Sequence, residues 1–297
     1  VNSIYGAEKA DEFLRYLASA YSKRLKDGLI ARKANTSFVC LLYGDKELDH
    51  RKMADTINEI SENAPIKGVK VKYGMYEDID KNLPISTCYD YVSLAIETIM
   101  ESYDHDIAFY TEEIAKKRIH EQMIENCFEE ALNDEEFLVY YQPKIDLSTE
   151  KVIGAEALVR WKKSDGTMVP PGEFIPVYEN NGKIIELDFY IFETVVEFIA
   201  ENLKAGREQV PISINASSLH ASDPQTINTY ISILKKYNVD PAMVEIELTE
   251  TAVVSEYESV RKLFDSFQLH GIKTAMDDFG SGYSVLNTIV DIPVDVI

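Results

Sequence analysis

The chain is short of cysteine, of basic residues and of long apolar runs. It has three cysteines in 297 residues, Cys40, Cys88 and Cys127, widely spaced and with no Cys-x-x-Cys pair. That argues against a disulfide framework and a zinc site, and for a reducing compartment, so the expected location is the cytoplasm. No apolar stretch approaches the roughly 20 residues of a membrane span, and no signal peptide is present. Lysine and arginine number 30 against 51 aspartates and glutamates, a formal net charge of -21. Such a surface repels polyanions at long range, which excludes a nucleic-acid duplex as the expected partner. It leaves room for a small phosphorylated ligand, because bound metal ions and a few arginines reverse the field locally.

What is present is enough for a core and for two domains. Hydrophobic residues make up 45% and charged residues 27%, an ordinary globular balance. The chain starts at Val1 rather than Met, so a longer parent is expected, with this piece as its cytoplasmic part if a sensor lies upstream.

Residues 7–26 pattern as an amphipathic helix with Phe13, Leu14, Leu17, Ala20, Tyr21 and Leu25 on one face. Leu29-Ile30-Ala31 and Phe38 to Tyr43 pattern as a hairpin whose second strand is fully buried. A helix over 47–62, a strand over Val69 to Met75, a helix over 86–103 and a strand over Ile107 to Tyr110 follow. Helices alternating with antiparallel hairpins suggest a compact α+β domain over 1–110. The charged segment 111–134 reads as a helical connector, with opposite charges at helical spacings.

From 135 to 297 strands and helices alternate. Strands are expected at Val139–Pro143, Val152–Trp161, Val210–Ile214, Val244–Leu248 and Lys273–Met276, and one opens at Val294. Helices are expected over about 172–181, 186–204, 222–237, 255–270 and 283–290, with a loop starting at Pro170-Pro171-Gly172. This is the pattern of a (β/α) barrel with parallel strands and right-handed crossovers. It stops at Ile297, before such a barrel would close.

Oxygen-bearing side chains stand at the ends of these strands: Glu156, Asn215, Glu247 with Glu250, and Asp277-Asp278. Oxygen donors on successive strand ends suit a hard divalent cation. The adjacent Asp277 and Asp278 suit a two-metal centre with ions about 3.5–4 Å apart. They face one site only if the backbone leaves extended geometry, which Phe279-Gly280-Ser281-Gly282 permits. Arg160 shares a strand face with Glu156, where a guanidinium clamps phosphate oxygens. Each feature alone has a plainer reading. Glu156 or Glu247 alone reads as a solvated rim residue, Asp277-Asp278 as a turn, Asn215 and Ser217-Ser218 as a turn and a helix cap, and Arg160-Trp161 as a surface stacking pair. The joint pattern on four strands favours a site.

On these segments, residues 137–297 resemble the EAL domain, a barrel phosphodiesterase specific for cyclic di-GMP. The matching segments are Tyr141-Gln142-Pro143, Gly154 to Trp161 around Glu156-Ala157-Leu158, Phe174-Ile175-Pro176, Ser213 to Ser217, Glu245 to Glu250, and Asp277 to Ser284. The resemblance implies that Glu156, Asn215, Glu247, Asp277 and Asp278 ligate a pair of Mg2+ or Mn2+ ions, with Ca2+ inhibitory. It implies that Gln142, Leu158 and Arg160 contact the dinucleotide, Arg160 through a phosphate and Gln142 on a guanine side. Glu250 would anchor the loop after Asp278, and Glu156, Asp278 and Glu250 would serve catalysis. The expected reaction is attack of metal-activated hydroxide on one phosphodiester, giving linear pGpG. The family continues after Ile297 with a lysine and later a strand-end glutamate that orient or deprotonate the water, and it pairs into homodimers through the barrel. A receptor that holds cyclic di-GMP without cutting it is the alternative, with a pure interaction scaffold as a third option. The retained Glu156, Asp277 and Asp278 favour the enzyme.

The first half resembles a degenerate GGDEF domain, the diguanylate cyclase fold. Asn2, Tyr5-Gly6, Asp11 and Leu14 match its early helix, and Ala34-Asn35-Thr36-Ser37-Phe38 stands in place of its signature turn. Both glycines and both acidic residues of that turn are replaced. Lys26-Asp27-Gly28-Leu29 stands where an Arg-x-x-Asp inhibitory motif is expected. Without those carboxylates the cyclase metals have no ligands, so a regulatory or dimerising role is implied.

Overall fold

The structure, a computed structural model, describes residues 6–24, 28–34, 36–42, 50–100, 102, 106–278, 280 and 292–296. The chain divides into two compact units, Val1–Arg118 and Ile119–Ile297. Among the described residues no helix is long and apolar enough to cross a membrane.

In the first unit, helix α1 (Ala7–Arg24) buries Ala10, Phe13, Leu14, Leu17 and Ala20, a stripe at helical spacing. Strands β1 (Gly28–Ala34) and β2 (Ser37–Leu42) form an antiparallel ribbon. The expectation that the second strand is fully buried fails. Among the described residues β2 pairs only with β1, and Cys40 and Leu42 are exposed. Helix α2 (His50–Glu62) contributes Ile60 to a small core with Phe13, Leu17, Ala20 and Ile66.

The expected strand Val69–Met75 contracts to β3 (Tyr73–Met75). Val69 and Val71 alternate because they pack on that core, not because they pair in a ladder. β3 pairs in parallel with β4 (Ile107–Phe109), across helix α3 (Ile85–Glu97). A parallel pair needs a crossover, and α3 supplies it. The reading of this half as antiparallel hairpins therefore holds only for β1 and β2.

Helix α4 (Glu112–Asn133) carries the chain into the second unit, where Ile124, Phe128 and Ala131 are buried. Strands β5 (Phe137–Ile145) and β6 (Val152–Lys162) form a long antiparallel hairpin, and β7 (Met168–Val169) adds to β6. The Asp146 carboxylate shapes the hairpin turn, accepting from Ser148 N at 2.9 Å and Thr149 N at 2.8 Å. Helices α5 (Pro171–Asn181) and α6 (Ile184–Lys204) follow. Pro171 opens α5 rather than a loop, since a first-turn proline forfeits no helical hydrogen bond.

Then come β8 (Ile212–Asn215), α7 (Thr226–Tyr237), β9 (Val244–Thr249), α8 (Glu250–Ser255), α9 (Tyr257–Leu269) and β10 (Lys273–Asp277). The helix expected from 222 starts later. A 3-10 turn covers Ser218–Ser222, and Asp223 is extended before Pro224, which disfavours a helical residue ahead of it. The sheet order is β10-β9-β8-β6-β5, with every pair parallel except β5 on β6. Val296 bridges in parallel to Ala275, so the chain re-enters the sheet beside β10. The helix expected over 283–290 lies outside the described residues.

One face of β6, β8, β9 and β10 meets the helices. Ala155, Ala157 and Trp161, Ile212 and Ile214, Val244, Ile246 and Leu248, and Met276 join the core with Leu187, Phe192, Val195, Tyr230, Phe264 and Phe267. Trp161 is fully buried, not a surface stacking residue. Its ring lies 5.3 Å from Phe137 and its Nε1 donates to Glu136 Oε2 at 2.8 Å. Aromatic pairs of this kind add about 0.5–1.5 kcal/mol beyond area burial. They fix the far end of β6 and so set which face Arg160 takes.

Candidate active site

Strand register assembles the site. Because the side chains of paired residues lie on one face of a sheet, the core-facing residues above leave the opposite face to their neighbours. On that face Glu156 is paired with Ser213, Ser213 with Glu245, Asn215 with Glu247, Glu247 with Ala275, and Thr249 with Asp277. Asn215 ends β8 and Asp277 ends β10, at the C-terminal edge of the parallel strands. β5 runs the other way and places Gln142 against Glu156, Tyr140 against Leu158 and Leu138 against Arg160.

Each of these acids has a donor. Glu156 Oε1 accepts from Asn215 Nδ2 at 2.9 Å. Glu247 is buried, and its Oε1 accepts from Lys144 Nζ at 2.7 Å. Lys144 also donates to Ser213 Oγ and lies 3.4 Å from Glu245 Oε1. Ser213 Oγ in turn donates to Glu245 Oε1 at 2.7 Å. Burial pulls the Lys144 pKa down, but Glu247 and Glu245 outweigh it and the net shift is upward, so Lys144 is an ammonium.

At the rim, Asp277 Oδ1 accepts from Asp278 N at 2.8 Å. Asp278 has φ 57, the left-handed region, which turns the chain out of the strand. Glu250, 2% exposed, accepts from Gly280 N at 2.6 Å through Oε2 and so ties the segment after Asp278 to the start of α8. The Arg160 guanidinium stands 5.9 Å from the Tyr140 ring centroid and donates to Val159 O at 2.8 Å.

The structure thus joins Glu156 to Asn215, sets Asn215 beside Glu247, and places Asp277 and Asp278 at the same strand-end edge. Among the described residues, no three His, Cys, Asp or Glu side chains converge closely enough to hold a metal ion. In chemistry the donor set fits a hard cation, being all oxygen. The donors now on these carboxylates, an ammonium and an amide N–H, mark the places where positive charge is favoured. From the sequence, Lys144 and Tyr140 carry no role, and Ser213 and Glu245 figure only as the ends of matching segments. Period-two alternation would have found them, since each lies two residues from Gln142, Asn215 or Glu247 on its strand.

Behind β8 lies a second polar cluster. Asp188 on α6 is 5% exposed, and its Oδ2 accepts from Ser217 N at 2.8 Å and from His220 Nε2 at 3.0 Å. Burial raises the Asp188 pKa in spite of His220 and Ser217. Glu179 is also raised by burial and takes the Ser217 hydroxyl at 3.4 Å. The cluster holds the turn that follows Asn215.

Parallel strands wrapped by helices, with oxygen donors collected at the strand ends, define a fold of the (β/α) barrel class, in which sites form at the C-terminal ends of the strands. Comparison with known proteins narrows this. Residues 125–297 match the model of the EAL domain, and the chain belongs to that family. The signaling protein YkoW of Bacillus subtilis is 26% identical over 305 residues, 99% of this chain and 38% of that protein. The cyclic di-GMP phosphodiesterase PdeR of Escherichia coli K12 is 25% identical over 303 residues, 100% of this chain and 46% of that protein. The chain therefore spans less than half the length of these relatives, and their similarity runs through both of its units. A solved structure, the PaMucR phosphodiesterase in complex with c-di-GMP, covers 58% of this chain and 70% of its own, with a TM-score of 0.54 and 24% identity. That likeness establishes the TIM-like barrel fold of the second unit.

Proposed function

We propose that this chain is the catalytic part of a bacterial signalling protein that hydrolyses cyclic di-GMP to linear pGpG. Membership of the EAL family supports the reaction class. The observation that carries the reading is the set Glu156, Asn215 and Glu247 on neighbouring strands, Asn215 bonded to Glu156 and paired with Glu247, with Asp277 ending the next strand and Asp278 following it. These five residues would hold Mg2+ or Mn2+, with Asn215 turning its amide to offer the oxygen. Divalent ions in such a site supply charge for a phosphate oxygen and a nucleophilic water at neutral pH. The chain's own residues do the rest. Arg160, steadied by Tyr140, holds a phosphate oxygen, Gln142 and Leu158 flank a base, and Glu250 keeps the backbone after Asp278 in place.

The proposed organisation is a degenerate cyclase-like domain over 1–110, a helical connector over 111–134 and the EAL domain over 135–297. The division at Arg118 and the family match from residue 125 support two parts. The tip of the β1–β2 ribbon falls where the altered signature turn lies, which supports a regulatory first unit without cyclase activity. Pairing through the barrel and a cytoplasmic location belong to the same reading.

The test is turnover by the full-length protein with Mg2+ or Mn2+, followed by chromatography for pGpG. Wild type is expected to convert cyclic di-GMP, and Glu156→Ala to be silent. Folded, metal-supplied wild-type protein without turnover would reject the reading. A receptor is the second reading, favoured by the internal partners that Glu156 and Glu247 already have. It predicts nucleotide binding without product, equal with and without metal.

A further inference from the structure

Glu245 and Glu247 stand two residues apart on one strand face, with side chains only 11% and 8% exposed. Two carboxylates so placed repel each other in a medium that screens poorly. Lys144 answers both. It comes from β5, which runs against β6, and it is paired there with Gly154, toward the N-terminal end of β6. Its ammonium therefore reaches Glu247 from the floor of the site, not from the rim where Asn215 and Asp277 end their strands. Glu247 Oε1 at 2.7 Å, the Ser213 hydroxyl and Glu245 Oε1 at 3.4 Å all meet it, and Ser213 closes the loop to Glu245 at 2.7 Å. Side chains from β5, β8 and β9 are thereby locked together. A carboxylate held through one oxygen has its rotation restricted, which narrows the positions open to its other oxygen.

We infer that Lys144 is a positioning residue that presents Glu247 to the divalent cation by fixing Oε1 from below. The inference rests on the cation-binding reading of the site. Partners that hydrogen-bond a ligating carboxylate orient it, and their loss lowers metal affinity about 10–100-fold. A purely electrostatic role has the opposite sign. If Lys144 only offset negative charge, its removal would leave the site more negative and tighten cation binding.

The experiment is Mn2+ binding to the full-length protein without nucleotide, by calorimetry, with circular dichroism to confirm folding. Lys144→Met is expected to weaken Mn2+ binding about 10–100-fold. Ser213→Ala, which keeps Lys144 but removes the hydroxyl it leans on, is expected to weaken it less and in the same direction. Unchanged or tighter Mn2+ binding by Lys144→Met overturns the inference, and Ser213→Ala decides by the same criterion if Lys144→Met does not fold. Wild-type protein that binds no Mn2+ overturns the cation reading together with this inference. Wild-type protein and variants binding Mn2+ alike overturn the inference alone.

Discussion

Replacing Asp188 by Ala and by Asn separates hydrogen bonding from charge in the cluster that holds the turn after Asn215. Asp188 accepts from Ser217 N at 2.8 Å and His220 Nε2 at 3.0 Å, and His220 Nδ1 is already buried without a partner. Alanine leaves Ser217 N without an acceptor, at about 1–3 kcal/mol, and leaves His220 Nε2 with only the Tyr230 hydroxyl at 3.4 Å, a smaller added loss. Asparagine keeps an acceptor oxygen and loses a charge that burial already disfavours, so about 1 kcal/mol is expected. Urea denaturation at neutral pH measures both as midpoint shifts at constant slope. The pH dependence carries a sign. The folded-state pKa of Asp188 is raised above its unfolded value of about 3.9. Between the two, the folded protein binds more protons than the unfolded chain. The stability from this group is complete below about pH 4 and is lost as pH rises through the raised pKa. Glu179, raised by burial, adds a contribution of the same sign in both proteins. The advantage of wild type over Asp188→Asn should therefore be largest in acid and shrink toward neutrality. Equal losses for Ala and Asn at neutral pH, or an advantage that grows with pH, would refute the reasoning.

Arg160→Ala is expected to raise KM for cyclic di-GMP about 10–100-fold with a smaller change in kcat, because a phosphate clamp serves ground and transition states alike. A fall in kcat at constant KM would contradict that role. Glu250→Gln turns a charge-assisted bond to Gly280 N into a neutral one, a loss of about 1 kcal/mol. It should show as faster hydrogen exchange at the Gly280 amide, and unchanged exchange would count against the anchor. Asp146 is held down to about 2 by the Ser148 and Thr149 donors. Its stabilisation is present above about pH 4 and lost as pH falls toward 2. Asp146→Ala should therefore be less stable than wild type at pH 6, with the gap closing in acid, as thermal melts over that range would show.

What the sequence disclosed and what it hid have physical causes. Strands such as Val244–Thr249 were legible because they are covered by helices on one face and carry alternating acids on the other. Glu250 was legible as a residue that had left its strand, and the structure puts it on Gly280 N. Local packing misled elsewhere. Val69 and Val71 alternate without a strand partner, and Pro171 begins a helix. Strand direction was hidden as well, since the pattern of β5 is the same whichever way it runs. That direction decides the site, because only an antiparallel β5 brings Lys144 up under Glu247 while Gln142 faces Glu156. Glu245 and Ser213 read as bystanders until neighbouring strands were set in register.

The resting partners of the carboxylates bear on how such a site is filled. On the proposed cation-binding reading, Glu156 would give up the Asn215 N–H to take a cation, and a hydrogen bond to a charged group is worth about 1.5–3 kcal/mol. Filling the site would then be an exchange of donors rather than the neutralisation of bare charges, which would temper affinity. The Asn215 exchange needs no strand to move, since Glu156, Asn215 and Glu247 sit on fixed register positions and only the amide must turn. Lys144 would not have to leave, because it occupies a single oxygen of Glu247 from the floor of the site. The chain's net charge of -21 repels a dianionic nucleotide at long range, but at physiological salt that field is screened beyond about 8 Å. Inside that distance the proposed ligand would meet Arg160 and whatever positive charge the strand ends hold. The acidic balance of the whole molecule and the proposed anionic substrate would therefore be compatible, provided the cations were in place before the nucleotide arrived.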